Sequence, residues 1–275
     1  RQRQMCIRDR AMIKLEAGKT YKLQVEYFDN GGDCFAGLYW KSPSAGSQNV
    51  LARFGDAGKV AAECDVTVAV LGINKSIERE GQDRFSLELP VDQQEFIKEL
   101  YKVNPNTVVV LVAGSSMAVN WMDENVPAIL NAWYPGEQGG NAVAEVLFGD
   151  YNPGGRLPLT YYNSLDEIPA FDNYSVKGRT YQYFEGQPLY EFGYGLSYTK
   201  FRYKSKGVNV EQDTVKVSFE VSNTGKYDGD EVAQVYVKYP ETGTYMPLKQ
   251  LHGFKRVHIK LSLIHISEPT RHSLI

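Results

Sequence analysis

The stretch VTVAVLG at residues 66–72 decides the fold class of this chain of 275 residues. It is a continuous apolar run, and a second run, TVVVLVAG, follows at 107–114. Between them, the segment 89–103 places apolar residues on one face of a helix and charged residues on the other. Strands that are buried on both faces have continuous Val, Ile and Leu runs, and helices between such strands indicate a parallel sheet. The sequence therefore predicts an α/β sandwich domain with a mainly parallel sheet.

The segments around this domain have other patterns. Residues 13–40 and 215–239 alternate apolar and polar side chains with period two, which indicates antiparallel strands of β-sandwiches. Residues 152–203 are rich in Pro, Gly and Tyr and have little periodicity, so they predict an ordered loop that wraps the surface.

The two chain ends do not fit the segments beside them. The fragment MCIRD at 5–9 and the fragment SLIHI at 262–266 can be encoded by one DNA element read in opposite directions. Both peptides resemble translated sequencing adapters, so they are excluded from the fold prediction. The predicted organisation is an adapter-like peptide at 1–10, the end of a β-sandwich module at 11–50, the α/β sandwich at 51–165, a loop-rich wrapping segment at 166–205, a truncated β-sandwich at 206–260 and an adapter-like peptide at 261–275.

Composition excludes several classes of partner. The net charge is -3, and acids and bases are interspersed, which argues against nucleic acid or an anionic membrane as the main partner. No apolar run is long enough to span a bilayer. Outside the adapter-like ends, Cys34 and Cys64 have neither metal-ligand spacing nor a disulfide framework. We predict no metal and no cofactor.

The charged stretch SIEREGQDR at 76–84 directly follows the first predicted strand. Ligands of open α/β sheets bind beyond the carboxyl ends of the strands, so the position of this stretch favours a function. A solvated surface loop is the competing interpretation, and on these residues alone it is the favoured one. Gly81 argues the other way, because glycine permits a close approach or an unusual backbone angle.

The sequence lacks the residues that dinucleotide binding and serine-hydrolase catalysis require. A dinucleotide-binding turn needs glycines after the first strand, and INKSIERE at 73–80 has none. GSSMAVNW at 114–121 superficially resembles a serine-hydrolase elbow but lacks G-x-S-x-G, and His252 and His258 lie far along the chain. Carboxyl chemistry remains.

A set of ordered motifs resembles the carboxyl-terminal part of glycoside hydrolase family 3, and it covers about 60–220. The motifs are SIEREGQDR, LELPVDQQEFI, PNTVVVLVAGSSMAVNW, AWYPGEQGGNAVAEVLFGDYNPGGRLPLT and GRTYQYF followed by YEFGYGLSYTKF. Within the family they are most similar to the β-xylosidase-like branch and its β-glucosidase-like relatives. The flanking segments resemble a protective-antigen-type carbohydrate-binding sandwich upstream and a fibronectin type III-like domain downstream.

The resemblance implies a retaining, exo-acting β-glycosidase that works through two carboxylates. In such enzymes an aspartate nucleophile lies on an amino-terminal (β/α)8 barrel, which this chain does not contain, so the chain alone is predicted to be inactive. Matching the motif residue by residue puts the general acid/base at Glu80, with Glu78 as the runner-up. Gly81, Asp83 and Arg84 are expected to support the loop, and Arg84 is expected to pair with Asp83 or a backbone carbonyl rather than with Glu80.

Further expectations follow from the same resemblance. The substrate is a glycoside or oligosaccharide, and glucose, xylose and arabinose stay open as its terminal sugar. Trp121 and Trp133 are weak candidates for a sugar subsite, and a packing role is favoured for both. Family habit implies a periplasmic or secreted protein. The alternative is a non-catalytic carbohydrate-binding or scaffold protein of the same fold.

Overall fold

A computed structural model describes residues 16, 18–22, 51, 54–211, 214–239, 246–261, 264–267 and 270–272. The predicted adapter-like peptide at 1–10 and nearly all of the predicted module at 11–50 lie outside the described residues. Both stay predictions.

The first domain alternates helices with parallel strands. Its elements are α1 (Ala57–Glu63), β1 (Thr67–Gly72), α2 (Val91–Val103), β2 (Thr107–Val112), α3 (Asn120–Asn125), β3 (Ile129–Asn131) and α4 (Gly139–Phe148). The strands form a sheet of order β1-β2-β3, in which Thr67 pairs with Thr107 and Val109 with Ile129, both in parallel. The apolar runs that predicted a parallel sheet thus form β1 and β2.

The core of this domain lies between the sheet and α2. Side chains alternate between the two faces of a strand, and the face towards α2 is buried. Its members are Ala69 and Leu71 of β1, Val109 and Leu111 of β2, and Ile97 and Leu100 of α2. Each large side chain buried there contributes about 1.5–3 kcal/mol. The apolar face predicted for α2 is therefore the face that packs.

The end of β1 is fixed by a close contact between backbones. A Cβ on Gly72 would stand 1.8 Å from the carbonyl oxygen of Val112, so no other residue fits. The Gln93 side chain accepts from the Gly72 N–H at 2.8 Å and donates to the Gly72 carbonyl at 2.8 Å. The first turn of α2 thereby holds the point where the charged loop leaves the sheet.

The wrapping segment has little regular structure. It contains a 3-10 turn at Leu165–Glu167 and the short helix α5 (Thr180–Tyr183). Arg179 Nη2 donates to the carbonyls of Pro169, Ala170 and Asn173 at 3.1, 3.0 and 2.9 Å, which holds the loop between them in place.

The last part of the described chain is antiparallel. Its strands are β4 (Phe201–Glu211), β5 (Thr214–Asn223), β6 (Gly229–Val237), β7 (Gln250–Ile259), β8 (Ile264–Ser267) and β9 (Thr270–His272). β4 pairs with β5, and β6 pairs with β7. β4 begins at Phe201, five residues before the predicted domain boundary of 206, and the predicted domain boundaries stay predictions.

β8 and β9 both pair with β5, although they lie in the segment that resembles an adapter. Strand pairing uses main-chain groups, so an open strand edge can accept an extended segment of almost any sequence. The adapter-like origin of 261–275 stays a prediction.

A buried ion pair joins the two domains. Arg156 Nη2 pairs with Glu231 Oε2, and the two side chains are only 12% and 11% exposed. The Tyr203 hydroxyl donates to Glu231 Oε1 at 2.7 Å. Burial, followed by this hydrogen bond, raises the pKa of Tyr203 well above 10.0, so it stays a donor. Glu231 is thus the common acceptor of the α/β domain and of β4.

Asp230 precedes Glu231 of this ion pair, and we expect its contribution to stability to be lost in acid. Arg256 Nε donates to its carboxylate at 2.8 Å, and His258 Nδ1 lies 2.7 Å from the other oxygen. Burial opposes ionisation, but the bonds from His258 and Arg256 outweigh it and hold the pKa of Asp230 below 3.8, its ordinary value.

Because the folded pKa of Asp230 is the lower one, its contribution is complete above pH 3.8 and is lost as pH falls below that value. Urea unfolding measured from about pH 5 to about pH 2 should show a shallower acid slope for Asp230→Asn than for the unchanged chain. Equal slopes in the two proteins would contradict this assignment.

Candidate active site

Three loops leave the carboxyl ends of β1, β2 and β3 at one edge of the sheet. Tyr134, after β3, donates its hydroxyl to the carbonyl of Ile73, after β1, at 3.3 Å. A Cβ on Gly114, after β2, would stand 2.5 Å from the Tyr134 ring. The three loops therefore pack against one another, as expected for the ligand-binding edge of a parallel sheet.

The loop after β1 contains a two-residue hairpin with Glu80 and Gly81 at its tip. Arg79 and Gln82 exchange both backbone hydrogen bonds, at 3.1 and 2.9 Å. Gly81 has φ +76° and Glu80 a negative φ, which is the sign pattern of a type II turn. The site of a Gly81 Cβ is open, so the backbone angle rather than space selects glycine.

Glu80 projects from this tip into solvent. In the part of the chain that the structure describes, its carboxylate makes no hydrogen bond and no ion pair. Asp83 is also exposed and does not pair with Arg84. The carboxylate that the motif match identifies is thus free to meet a second molecule.

Glu78, two residues earlier, is held on both sides. Its Oε2 accepts from the Ser115 hydroxyl at 2.5 Å and from Arg84 Nε at 2.7 Å. The Glu78 side chain is 24% exposed and that of Arg84 only 9%. This carboxylate oxygen faces protein donors rather than solvent.

Arg84 extends the same contacts to the loop after β2. Its Nη2 donates to the Ser116 carbonyl at 2.7 Å, and its Nη1 lies 2.9 Å from Met117 Sδ. Of the two partners expected for Arg84, a backbone carbonyl is present and Asp83 is not. Asp83 is on the exposed side of the loop, whereas the guanidinium points to the core.

The pairing of Glu78 and Arg84 with the second loop was missed from sequence. Ser115 and Met117 lie in a segment that was interpreted as a failed serine-hydrolase elbow and as part of a family motif, without a role for either residue. One signal was available, because this segment follows β2 just as the charged loop follows β1. Neighbouring parallel strands bring such segments together.

The two tryptophan candidates have different surroundings. Trp121, on α3, packs against the core and meets Tyr101 edge to face at 5.7 Å, with Lys98 Nζ 5.7 Å from its ring. Trp133, after β3, is half-buried and has φ +56°. A bulky residue in this conformation costs on the order of 1–3 kcal/mol, and such strain clusters at functional sites. These contacts favour packing for Trp121 and keep Trp133 as the subsite candidate.

Neither a metal-binding cluster nor a membrane-spanning helix is found in the described ranges. Those residues contain no group of three or more His, Cys, Asp or Glu side chains that could hold a metal ion. No helix within the same ranges has the length and apolar composition to cross a membrane.

Two family models match this chain, one over the α/β domain and one over part of the antiparallel domain. The family model described as the glycosyl hydrolase family 3 C-terminal domain matches residues 12–198, and a fibronectin type III-like model matches 231–262. The predicted fold class, a parallel α/β domain followed by a fibronectin type III-like domain, is confirmed.

Curated relatives are similar over most of the chain. A xylan 1,4-beta-xylosidase of Xylanibacter ruminicola is 45% identical over 66% of this chain and 21% of its own length. A beta-glucosidase of Kluyveromyces marxianus is 35% identical over 90% of this chain and 31% of its own length. The chain therefore spans about a fifth to a third of these relatives.

Solved structures are similar to the same extent. The beta-glucosidase of Kluyveromyces marxianus in complex with glucose has a TM-score of 0.72 and 34% identity, covering 78% of this chain and 28% of that one. A family 3 beta-glucosidase of Bifidobacterium adolescentis has a TM-score of 0.72 and 31% identity, covering 78% and 34%.

Proposed function

Since this chain belongs to the family of the glycosyl hydrolase family 3 C-terminal domain, we propose that it is one part of a retaining, exo-acting β-glycosidase. The proposed substrate is a glycoside or oligosaccharide with a terminal β-linked sugar, because the relatives are named β-glucosidases and β-xylosidases. In this proposal Glu80 is the general acid/base. The nucleophile is supplied by an aspartate on an amino-terminal (β/α)8 barrel of the complete protein.

The observation that carries the proposal is the contrast between the two glutamates of one loop. Glu78 Oε2 is occupied by Ser115 and Arg84, whereas Glu80 stands exposed at the tip of a tight turn. A general acid must come within hydrogen-bond distance of the leaving oxygen. A carboxylate at a projecting tip can do so, whereas Glu78 has one carboxylate oxygen already bound by Arg84 and by Ser115 of the neighbouring loop.

The same geometry supports a two-part active site. Retention requires the two carboxyl groups to stand about 5–5.5 Å apart across the sugar. A tip that projects from the carboxyl edge of the sheet can lean over a neighbouring domain that carries the nucleophile. The chain by itself would then hold half of the catalytic pair.

The test compares the complete gene product with this chain. We expect the complete protein to hydrolyse at least one of the p-nitrophenyl glycosides of β-D-glucose, β-D-xylose and α-L-arabinose, and this chain to hydrolyse none. Proton NMR of the first product should show the anomer of the substrate. Binding without hydrolysis by the complete protein would favour the non-catalytic alternative, and an inverted anomer would contradict the retaining mechanism.

A further inference from the structure

The hairpin that carries Glu80 is closed at its neck and docked onto the core by one group of contacts. Glu78 precedes one arm of the hairpin and Arg84 follows the other, and the two join at 2.7 Å. Ser115 then binds Glu78, and Arg84 reaches Ser116 and Met117. We call Glu78, Arg84 and Ser115, with the Ser116 carbonyl and Met117 Sδ, the neck clamp.

We propose that Ser115 and Arg84 are positioning residues, which act through Glu78 to hold the Glu80 hairpin in place for proton transfer. This inference rests on the function proposed for Glu80. It assigns roles to the loop after β2, which would otherwise be a structural connection.

The buried residues of the clamp fix its position. Arg84 is 9% exposed, and Met117, to which it reaches, is fully buried in the core beside β2. Only Glu80 and Gly81 project beyond the paired residues Arg79 and Gln82. The tip therefore takes its position from the sheet through the clamp. The Ile77 side chain, which packs against the core, and a bond from Gln82 Nε2 to the Ser76 carbonyl at 3.0 Å support the same loop.

The rate of proton transfer depends strongly on where the general acid lies relative to the leaving oxygen. A misplacement of about 1 Å can cost about 100-fold in rate, because the proton must be passed along a short and aligned bond. Glycosides with a poor leaving group need that proton in the transition state, whereas activated aryl glycosides leave without it. A loosened clamp should therefore slow the first class of substrate selectively, and a general loss of structure would slow both.

The Ser115 hydroxyl is the part of the clamp that can be removed most gently. Ser115→Ala deletes one hydrogen bond and leaves the ion pair between Arg84 and Glu78. Arg84→Lys is the second variant, because a lysine can neutralise Glu78 but cannot also bind the Ser116 carbonyl in the same planar geometry. Ser115→Thr restores the hydroxyl. Ser164→Ala is the matched control, since it removes one serine hydrogen bond, from the Asp166 N–H at 2.9 Å, at the start of the 3-10 turn Leu165–Glu167.

The experiment measures kcat/KM of the complete enzyme on a methyl glycoside and on the 2,4-dinitrophenyl glycoside of the same sugar. We expect Ser115→Ala and Arg84→Lys to lose on the order of ten-fold on the methyl glycoside and at most about two-fold on the activated one. Ser115→Thr should recover most of the loss, and Ser164→Ala should match the unchanged enzyme.

Equal losses on both substrates, or no loss on either, would overturn the positioning role. The Glu80→Gln variant, measured beside these, separates the two proposals. If Glu80→Gln shows the selective loss and the clamp variants do not, only the clamp fails. If Glu80→Gln itself shows no selectivity, the function proposed for Glu80 fails and the clamp fails with it.

Discussion

Replacing Glu80 with glutamine in the complete enzyme should lower kcat/KM for a glycoside with a poor leaving group by about 10²- to 10⁴-fold. For the 2,4-dinitrophenyl glycoside the same variant should lose several-fold at most in kcat/KM. Glutamine keeps the shape of the side chain but cannot donate the proton that the departing oxygen needs. The difference between the two substrates, rather than the size of either loss, identifies a general acid.

The second half of the reaction gives an independent measure of the same residue. A retaining enzyme hydrolyses its glycosyl intermediate with the former acid acting as base. Glu80→Gln should therefore accumulate the intermediate with the activated substrate, and azide, which needs no base, should restore kcat and yield a glycosyl azide. Failure of azide to raise kcat would count against this role.

Glu78→Gln is the matched control for Glu80→Gln. It weakens the two clamp contacts that Glu78 makes, with Ser115 and with Arg84, and keeps the carboxyl group of Glu80. We expect a smaller loss on the poor substrate and no azide rescue. A larger selective loss at Glu78 than at Glu80 would reverse the assignment and make Glu78 the acid.

The largest effect on stability should come from Glu231→Ala. This variant leaves the Arg156 guanidinium, which is 12% exposed, without its carboxylate, and leaves the Tyr203 hydroxyl without its acceptor. Breaking a buried pair from one side costs about 3–5 kcal/mol, since the remaining charge is neither solvated nor neutralised. Urea denaturation should show a loss of this size in the free energy of unfolding.

The control for Glu231→Ala is an ion pair of the same domain at the surface. Glu211 pairs with Lys216 at 2.9 Å, and the side chains are 53% and 45% exposed. Glu211→Ala should cost less than about 1 kcal/mol, because water already solvates both partners. Losses of similar size at the two positions would mean that the interdomain pair contributes no more to the free energy of unfolding than a surface pair does.

The parallel sheet could be predicted from sequence because β1 and β2 lie within continuous apolar runs. The runs at 66–72 and 107–114 contain β1 and β2, and the periodic segment at 89–103 contains α2. β3 could be predicted less well, since only three residues of the apolar run at 126–133 pair with β2, and Pro127 precedes them.

Only the residues of the candidate site that lie in the loop after β1 could be predicted from sequence. Glu80 and Glu78 lie in a single charged stretch, and the motif match puts Glu80 before Glu78. Glu80 is exposed and Glu78 is bound by Arg84, and the ranking stays a prediction. Ser115 lies 37 residues after its partner Glu78, and Met117 lies 33 residues after its partner Arg84. No local pattern states which loop of a sheet will face which, because that depends on strand order. The terminal sugar and a periplasmic or secreted location stay predictions.

The neck clamp also has a consequence for the order of events in folding. Its contacts with the loop after β2 join residues that are 32, 33 and 37 positions apart, so they are expected to form only once β1 and β2 have come together, whereas the Glu78–Arg84 pair is local. Contacts between distant residues are delayed by the entropy of closing the intervening chain. In the proposed function, the chain is therefore synthesised with its general acid, Glu80, before the contacts that position it can form. On heating, the loop after β2 is expected to open before the sheet separates, which would release the Glu80 hairpin.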